Sequence, residues 1–189
     1  MKKYELTAEF IEKWGKKLFR IKALISFGNV EAGELGGYVE KEDNLAQDDN
    51  AWVHGNARVF GNARVCDDAE VCGNARVFGN ARVCDDARVC GNARVYGDAR
   101  VYGDADYLLI GRIGSRFSFT TFFKNKDKGI TVSCGCFLGT IAEFRAKVSD
   151  THGNNKHAKI YNLAADMAEL QILGEEHFEN LNTNKSEPF

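Results

Sequence analysis

From residue 50 onward the hydrophobic positions recur with a period of six. Valine stands at Val53, Val59, Val65, Val71, Val77, Val83, Val89, Val95 and Val101, and alanine stands two places before each, from Ala51 to Ala99. Positions two apart on an extended strand face the same way, so each Ala–Val pair points to one side of a short strand. The residues between and after them point to the other. Gly-Asn and Asp-Asp pairs follow the strands, and these residues tolerate the backbone angles of turns.

A longer period sets the stacking. Residues 60–77 read FGNARVCDDAEVCGNARV and residues 78–95 read FGNARVCDDARVCGNARV, with Glu70 against Arg88 as the difference. Each block is three six-residue units and makes one triangular coil, and successive coils stack at the roughly 4.8 Å spacing of paired strands. This arrangement resembles the hexapeptide-repeat, left-handed parallel β-helix family, whose unit has an aliphatic residue and a small residue four places later. Val59 with Ala63 and Val65 with Ala69 meet that rule. The resemblance implies a mainly β fold with a left-handed parallel β-helix over residues 50–105.

Stacking predicts three outward columns. The first carries Arg58, Arg76 and Arg94 beside Phe60, Phe78 and Tyr96. The second carries Arg64, Arg82 and Arg100 beside Cys66, Cys84 and Tyr102; the third carries Trp52, Glu70 and Arg88 beside His54, Cys72 and Cys90. A ladder of outward aromatics is costly to leave in water. Since members of the family commonly trimerise through one face, the six residues of the first column are expected to form a homotrimer seam. The alternative is an arginine–aromatic platform for bases or phosphates.

The flanks follow other patterns. Residues 5–17 place Leu6, Phe10, Ile11 and Trp14 at helical spacing and predict a helix. LFRIKALISF then alternates like a strand, so residues 1–49 read as an N-terminal helix/strand cap over the unpaired end of the ladder. The phrase FGNVEAGELGGYVEKEDNL, followed by the repeats, resembles a layout frequent in phage and prophage proteins. Beyond Asp106, residues 107–113, 117–123 and 130–137 predict strands. Thr140-Ile-Ala-Glu143 is a capping box opening a helix through about Ser149. After a break at 151–155, a second helix is predicted over 156–173, with Ile160, Leu163, Ala164, Met167 and Leu170 along one face. Residues 106–175 thus read as a small α+β module and 176–189 as a tail.

Charge and cysteine content narrow the class. With 25 basic and 27 acidic residues, the chain lacks the basic excess of a nucleic-acid or membrane-surface binder. No apolar run is long enough to span a bilayer. The first lysines are not followed by an apolar core, so no export is expected and the protein is read as cytoplasmic, in a bacterial host on the phage-like layout. The cysteines, four of them within the repeats, are expected as reduced thiols rather than a disulfide framework.

No catalytic signature is visible. Many hexapeptide-repeat proteins resemble acyltransferases, which would need His54 or His152 as a base, but the coil has no loop excursion beside His54. The metal-binding histidines of carbonic anhydrases of this fold are missing too, and no cofactor is expected. The corners Asp67, Asp68, Asp85 and Asp86 bring carboxylates together, to be offset by Arg64 and Arg82 or by a cation such as calcium. Cys134 and Cys136 are expected to share one side of a strand and to serve packing.

The densest polar cluster lies in the C-terminal module: Arg112, Ser115, Arg116, Thr120, Thr121, His152, Lys156 and His157. Guanidiniums, hydroxyls and a helix N-terminus suit a phosphate-bearing ligand; the plainer reading is solvated loop and capping residues. The function expected is a non-enzymatic oligomeric binding protein, on the phage-like layout a counter-defence factor that sequesters a nucleotide-like signal or blocks a host protein. An acyltransferase and a structural virion or fibre component stand as alternatives.

Overall fold

The computed structural model describes residues 1–175; the tail expected at 176–189 lies outside the described residues. The chain divides into two compact units, Met1–Asp104 and Ala105 onward.

The first unit opens with strands, which overturns the helix expected over residues 5–17. β1 (Tyr4–Lys13) and β2 (Lys16–Ala23) form an antiparallel hairpin. Lys13 pairs with Lys16, leaving Trp14 and Gly15 as a two-residue turn with φ of 54° and 72°. Two positive φ values in a two-residue loop match the right-handed twist of the flanking strands. The apolar spacing of β1 fits a helix as well as a strand, and pairing with the alternating β2 decides between them.

β3 (Leu35–Val39) pairs antiparallel with β2 and carries the sheet into the solenoid. Its Gly36 and Gly37 are forced by proximity: a Cβ on Gly36 would lie 2.6 Å from the Val53 carbonyl oxygen, and one on Gly37 would lie 2.7 Å from that of Ala57. Nine two-residue strands follow, β4 to β12, at Trp52–Val53, Arg58–Val59, Arg64–Val65, Glu70–Val71, Arg76–Val77, Arg82–Val83, Arg88–Val89, Arg94–Val95 and Arg100–Val101.

Three parallel ladders result: β3–β5–β8–β11, β4–β7–β10 and β6–β9–β12. Leu45 bridges Val65 and starts an irregular turn below the third ladder. The unit is a parallel β-solenoid of about four turns. The repeated alanines and valines fill its interior and are almost fully buried. Each coil donates backbone N–H groups to the next, as Phe60 does to the Val77 carbonyl at 3.0 Å, so the strand groups are satisfied without long strands.

The same stacking corrects the cysteine expectation. Identical positions one coil apart have Cα atoms 4.7 Å apart for Cys66 and Cys84 and 4.6 Å apart for Cys72 and Cys90, and both pairs are disulfides. Such Cα separations lie within the range a disulfide bridges. The first staple joins the coil of β6 to that of β9, and the second joins the coil of β7 to that of β10.

The second unit is a four-stranded antiparallel sheet with two helices. β13 (Tyr107–Ile113), β14 (Ser118–Lys124), β15 (Ile130–Cys134) and β16 (Phe137–Thr140) lie in sequence order. Where the sequence suggests one strand over 130–137, Cys134 pairs with Phe137 across a turn at Gly135-Cys136. Cys136 is therefore an exposed turn residue and shares no strand face with Cys134.

α1 (Ile141–His152) begins with the predicted capping box: the Glu143 N–H donates to Thr140 Oγ1 at 3.2 Å and the Thr140 N–H donates to Glu143 Oε2 at 2.8 Å. α2 (Lys156–Leu173) has the expected bounds, but the side it buries shares only Ala164 with the apolar face named from the sequence. Its buried side is Ala158, Tyr161, Ala164, Ala165, Ala168 and Ile172, while Ile160, Leu163, Met167 and Leu170 are exposed. Small alanines let the helix lie close to Phe122, Val132, Phe144 and Val148 in the core. Arg145 of α1 clamps the packing with ion pairs to Asp166 at 2.7 Å and Glu169 at 2.6 Å. Among the described residues no helix is long and apolar enough to cross a membrane.

Candidate functional site

The first outward column becomes a groove because the hairpin lies against its first rung. Leu18, Tyr38 and Phe60 form a buried cluster with Ile11 and Phe78 packed around it. Glu40, on the rung below Phe60, accepts from Lys16 Nζ at 2.6 Å and from the Gly61 N–H at 2.7 Å. Burial opposes its charge, yet the Lys16 and Gly61 bonds hold the carboxyl below its ordinary value. Arg20 donates to the Tyr38 hydroxyl at 2.9 Å, and that hydroxyl donates to Glu9 at 3.1 Å. These contacts tie both hairpin strands to the solenoid.

The turn then places Trp14 against Phe60, at the first-rung end of the aromatic column. Ring centroids run 5.0 Å from Trp14 to Phe60, 4.9 Å from Phe60 to Phe78 and 4.5 Å from Phe78 to Tyr96, all stacked. The Arg76 guanidinium lies 4.8 Å from the Trp14 ring centroid. Burial and the neighbouring Arg94 and Arg58 push the Arg76 pKa below its ordinary value. The side-chain Nε of Arg58 is buried without a partner. Trp14, Phe60, Arg76, Phe78, Arg94 and Tyr96 line a groove of about 330 Å³. That is near the lower end of ligand-pocket volumes.

Trp14 has no part in the sequence reading of this site. Its conformation carries a cost, since a bulky residue at φ 54° is uncommon. The stack on Phe60 and the Arg76 contact hold it there. The Trp-Gly pair between alternating runs is the signal in the sequence, and helical spacing obscures it.

Other expected sites are only partly assembled. Trp52 does not face solvent on the third column; Tyr4 and Phe27 cover it, with ring centroids 6.1 Å and 5.3 Å away. His54 is half-buried, and no side-chain partner among the described residues orients its ring. The four corner aspartates do not converge. Asp68 accepts from Asn50 at 2.7 Å, while Asp67 accepts from the Asp85 N–H at 3.2 Å. A second cavity, of about 430 Å³, mixes Lys41 and Arg64 with Glu42, Asp43 and Asp48, so its charges offset one another.

In the C-terminal module the polar cluster splits. Thr120 and Thr121 are both buried on β14 and point to opposite faces, because neighbouring strand residues alternate. Thr120 faces the helices and donates to Cys134 Sγ at 3.2 Å; Thr121 belongs to the other side. Tyr161 sits beside Cys134, and burial with that neighbour pushes its phenol up to about 12. The His152 ring lies 5.7 Å from both His157 and Tyr161. Arg112, Ser115, Arg116 and Lys156 are exposed. The eight residues therefore do not line one pocket.

The YdcK β-solenoid repeat family matches residues 69–85 and 87–103, which are the coils of β7–β9 and β10–β12. The match supports a parallel β-helix repeat protein and covers the solenoid alone. No curated protein matches the chain.

Proposed function

We propose that the chain is a non-enzymatic binding protein whose solenoid presents the Trp14–Tyr96 groove to an acidic, partly apolar segment of a partner protein. The observation that carries this reading is the orientation of the rings. Their faces are spent on one another, so the interior of the ladder offers no platform for stacking a base. The edges remain for a ligand, and aromatic edges carry the positive side of the ring quadrupole. Arg76 and Arg94 beside them favour carboxylates, which guanidinium groups bind with two parallel hydrogen bonds. A homotrimer seam through this face brings cationic columns towards one another, which costs energy unless acidic groups intervene. A phage-encoded blocker of a host protein is the narrower form of the proposal and rests on the layout resemblance alone.

The test is a peptide array probed with the full chain. Bound peptides should be rich in Asp, Glu and aliphatic residues, and binding should weaken as salt rises. Arg76→Glu with Arg94→Glu should weaken it at least about tenfold, roughly 1.4 kcal/mol. Unchanged binding by that double variant would sink the reading. So would a stoichiometric trimer in native mass spectra with Phe78 and Tyr96 shielded from labelling.

A second, narrower proposal keeps a phosphate-bearing ligand near His152 and His157. Its support is the enclosed, unpartnered His157 Nδ1 at the first turn of α2. Calorimetry with a panel of nucleotides and cyclic nucleotides tests it, and absence of heat at every member ends it.

A further inference from the structure

The second column carries a cluster that the groove does not use. Cys66 follows β6, and Cys84 follows β9 at the same place one coil later, 4.7 Å away between Cα atoms. Asp67 takes the corner next to Cys66. Its carboxylate and the two sulfurs bring three potential ligand atoms within 4.8 Å of one another. The Asp85 N–H fixes the carboxylate from the next coil at 3.2 Å. A ligand oriented by such an outer hydrogen bond is better prepared to bind than a free one.

Asp67 is also placed at some expense. Corners at Gly61, Gly73, Gly79 and Gly91 hold glycine at positive φ, while Asp67 and, one coil later, Asp85 adopt φ 58° and 54° with a side chain present. The molecule supplies its own comparison. Cys72 and Cys90 have the same one-coil spacing, but the corners that follow them are Gly73 and Gly91, so no carboxylate joins that pair.

We propose that Cys66, Cys84 and Asp67 form, in the reduced protein, a site for a thiophilic divalent cation of the zinc–cadmium class, and that the same sulfurs close as a disulfide when a small-molecule disulfide takes up their two electrons and two protons and becomes two thiols. Two thiolates select soft cations, and a third ligand from carboxylate oxygen leaves a fourth position for water. In the reductive direction a dithiol reductant supplies two electrons and two protons. Its own thiols become a disulfide, the Cys66–Cys84 bond breaks and two thiols form. The cation then displaces both thiol protons to solvent as two metal–sulfur bonds form. Disulfide and cation exclude each other because both use the same two sulfurs.

Cadmium titration of the full chain tests this, after reduction and anaerobic removal of the reductant. The reduced protein should take up one equivalent with a thiolate-to-metal charge-transfer band, and the oxidised protein should show none. Cys66→Ser and Cys84→Ser should abolish the band, and Asp67→Asn, which suits the same backbone angle, should weaken affinity at least about tenfold. Cys72→Ser with Cys90→Ser should leave it intact. Emission of a Trp52→Phe background, in which Trp14 is the remaining tryptophan, reports that each variant keeps its stacked column. Absence of the band in the reduced protein would overturn the site. Equal affinity in Asp67→Asn, or loss of the band only in the Cys72/Cys90 variant, would overturn it as well.

Discussion

Lys3 and Tyr4 stand side by side where the chain enters the first strand, and their burial gives the fold a two-sided dependence on alkaline pH. Lys3 Nζ donates to the carbonyls of Asp48, Asp49 and Ala51 at 2.9, 3.2 and 3.0 Å, and lies 4.9 Å from the Phe27 ring centroid. Burial pushes its ammonium down to about 8 from 10.5, against the attraction of Asp49 and Asp48. Between those values the unfolded chain binds a proton that the folded chain has released, so stability rises as pH climbs from about 8 to 10. The Tyr4 hydroxyl donates to the Glu42 and Leu45 carbonyls, and burial raises its pKa well above the ordinary 10. Above pH 10 the unfolded chain gives up that proton first, so Tyr4 lowers stability there. Urea midpoints measured across this range should rise and then fall, and Lys3→Met should remove the rise. A wild-type curve flat from pH 8 to 10 would refute the assignment. Nothing in the sequence announces this lysine: its burial comes from a loop 45 residues away that folds back over it.

At the scale of elements, legibility follows the range of the interactions that decide each one. The capping box of α1 is a contact between residues three apart, and the sequence displays it in full. Thr140→Ala should cost the second unit about 1 kcal/mol, read as a lower chemical-denaturation midpoint. Thr140→Ser should keep most of the stability. The nine solenoid strands are legible for another reason: repetition turns a long-range pairing into a local rule, and Ala–Val spacing states it nine times. The first hairpin lacks that redundancy. Phe10, Ile11 and Trp14 suit a helix until β2 is present to pair with them. α2 misleads differently, because its strongest apolar periodicity marks the exposed side while alanines form the packed one. The aromatic groove lies between these cases. Phe60, Phe78 and Tyr96 follow from the repeat, whereas Trp14 depends on where the hairpin ends.

For the molecule as a whole, the solenoid is a sum of near-identical layers, each contacting only its neighbours. Residues 78–95 repeat residues 60–77 except at Arg88, so removing them joins Val77 to Tyr96 and restores the same pattern. The shortened protein should still fold cooperatively, with Tyr96 stacked directly on Phe60 and a lower thermal midpoint. Circular dichroism melting checks this, and loss of the β signal would show that the coils are not interchangeable. Deletion also removes Cys84 and Cys90, so neither staple survives in it. The near-identity of the coils reaches beyond stability. Repeats this alike invite unequal recombination in the gene, and each gain or loss of a unit changes the aromatic track by one ring and one guanidinium. Descendants of this chain can therefore be regraded like a ruler, matching longer or shorter targets in whole steps with no new residue to invent.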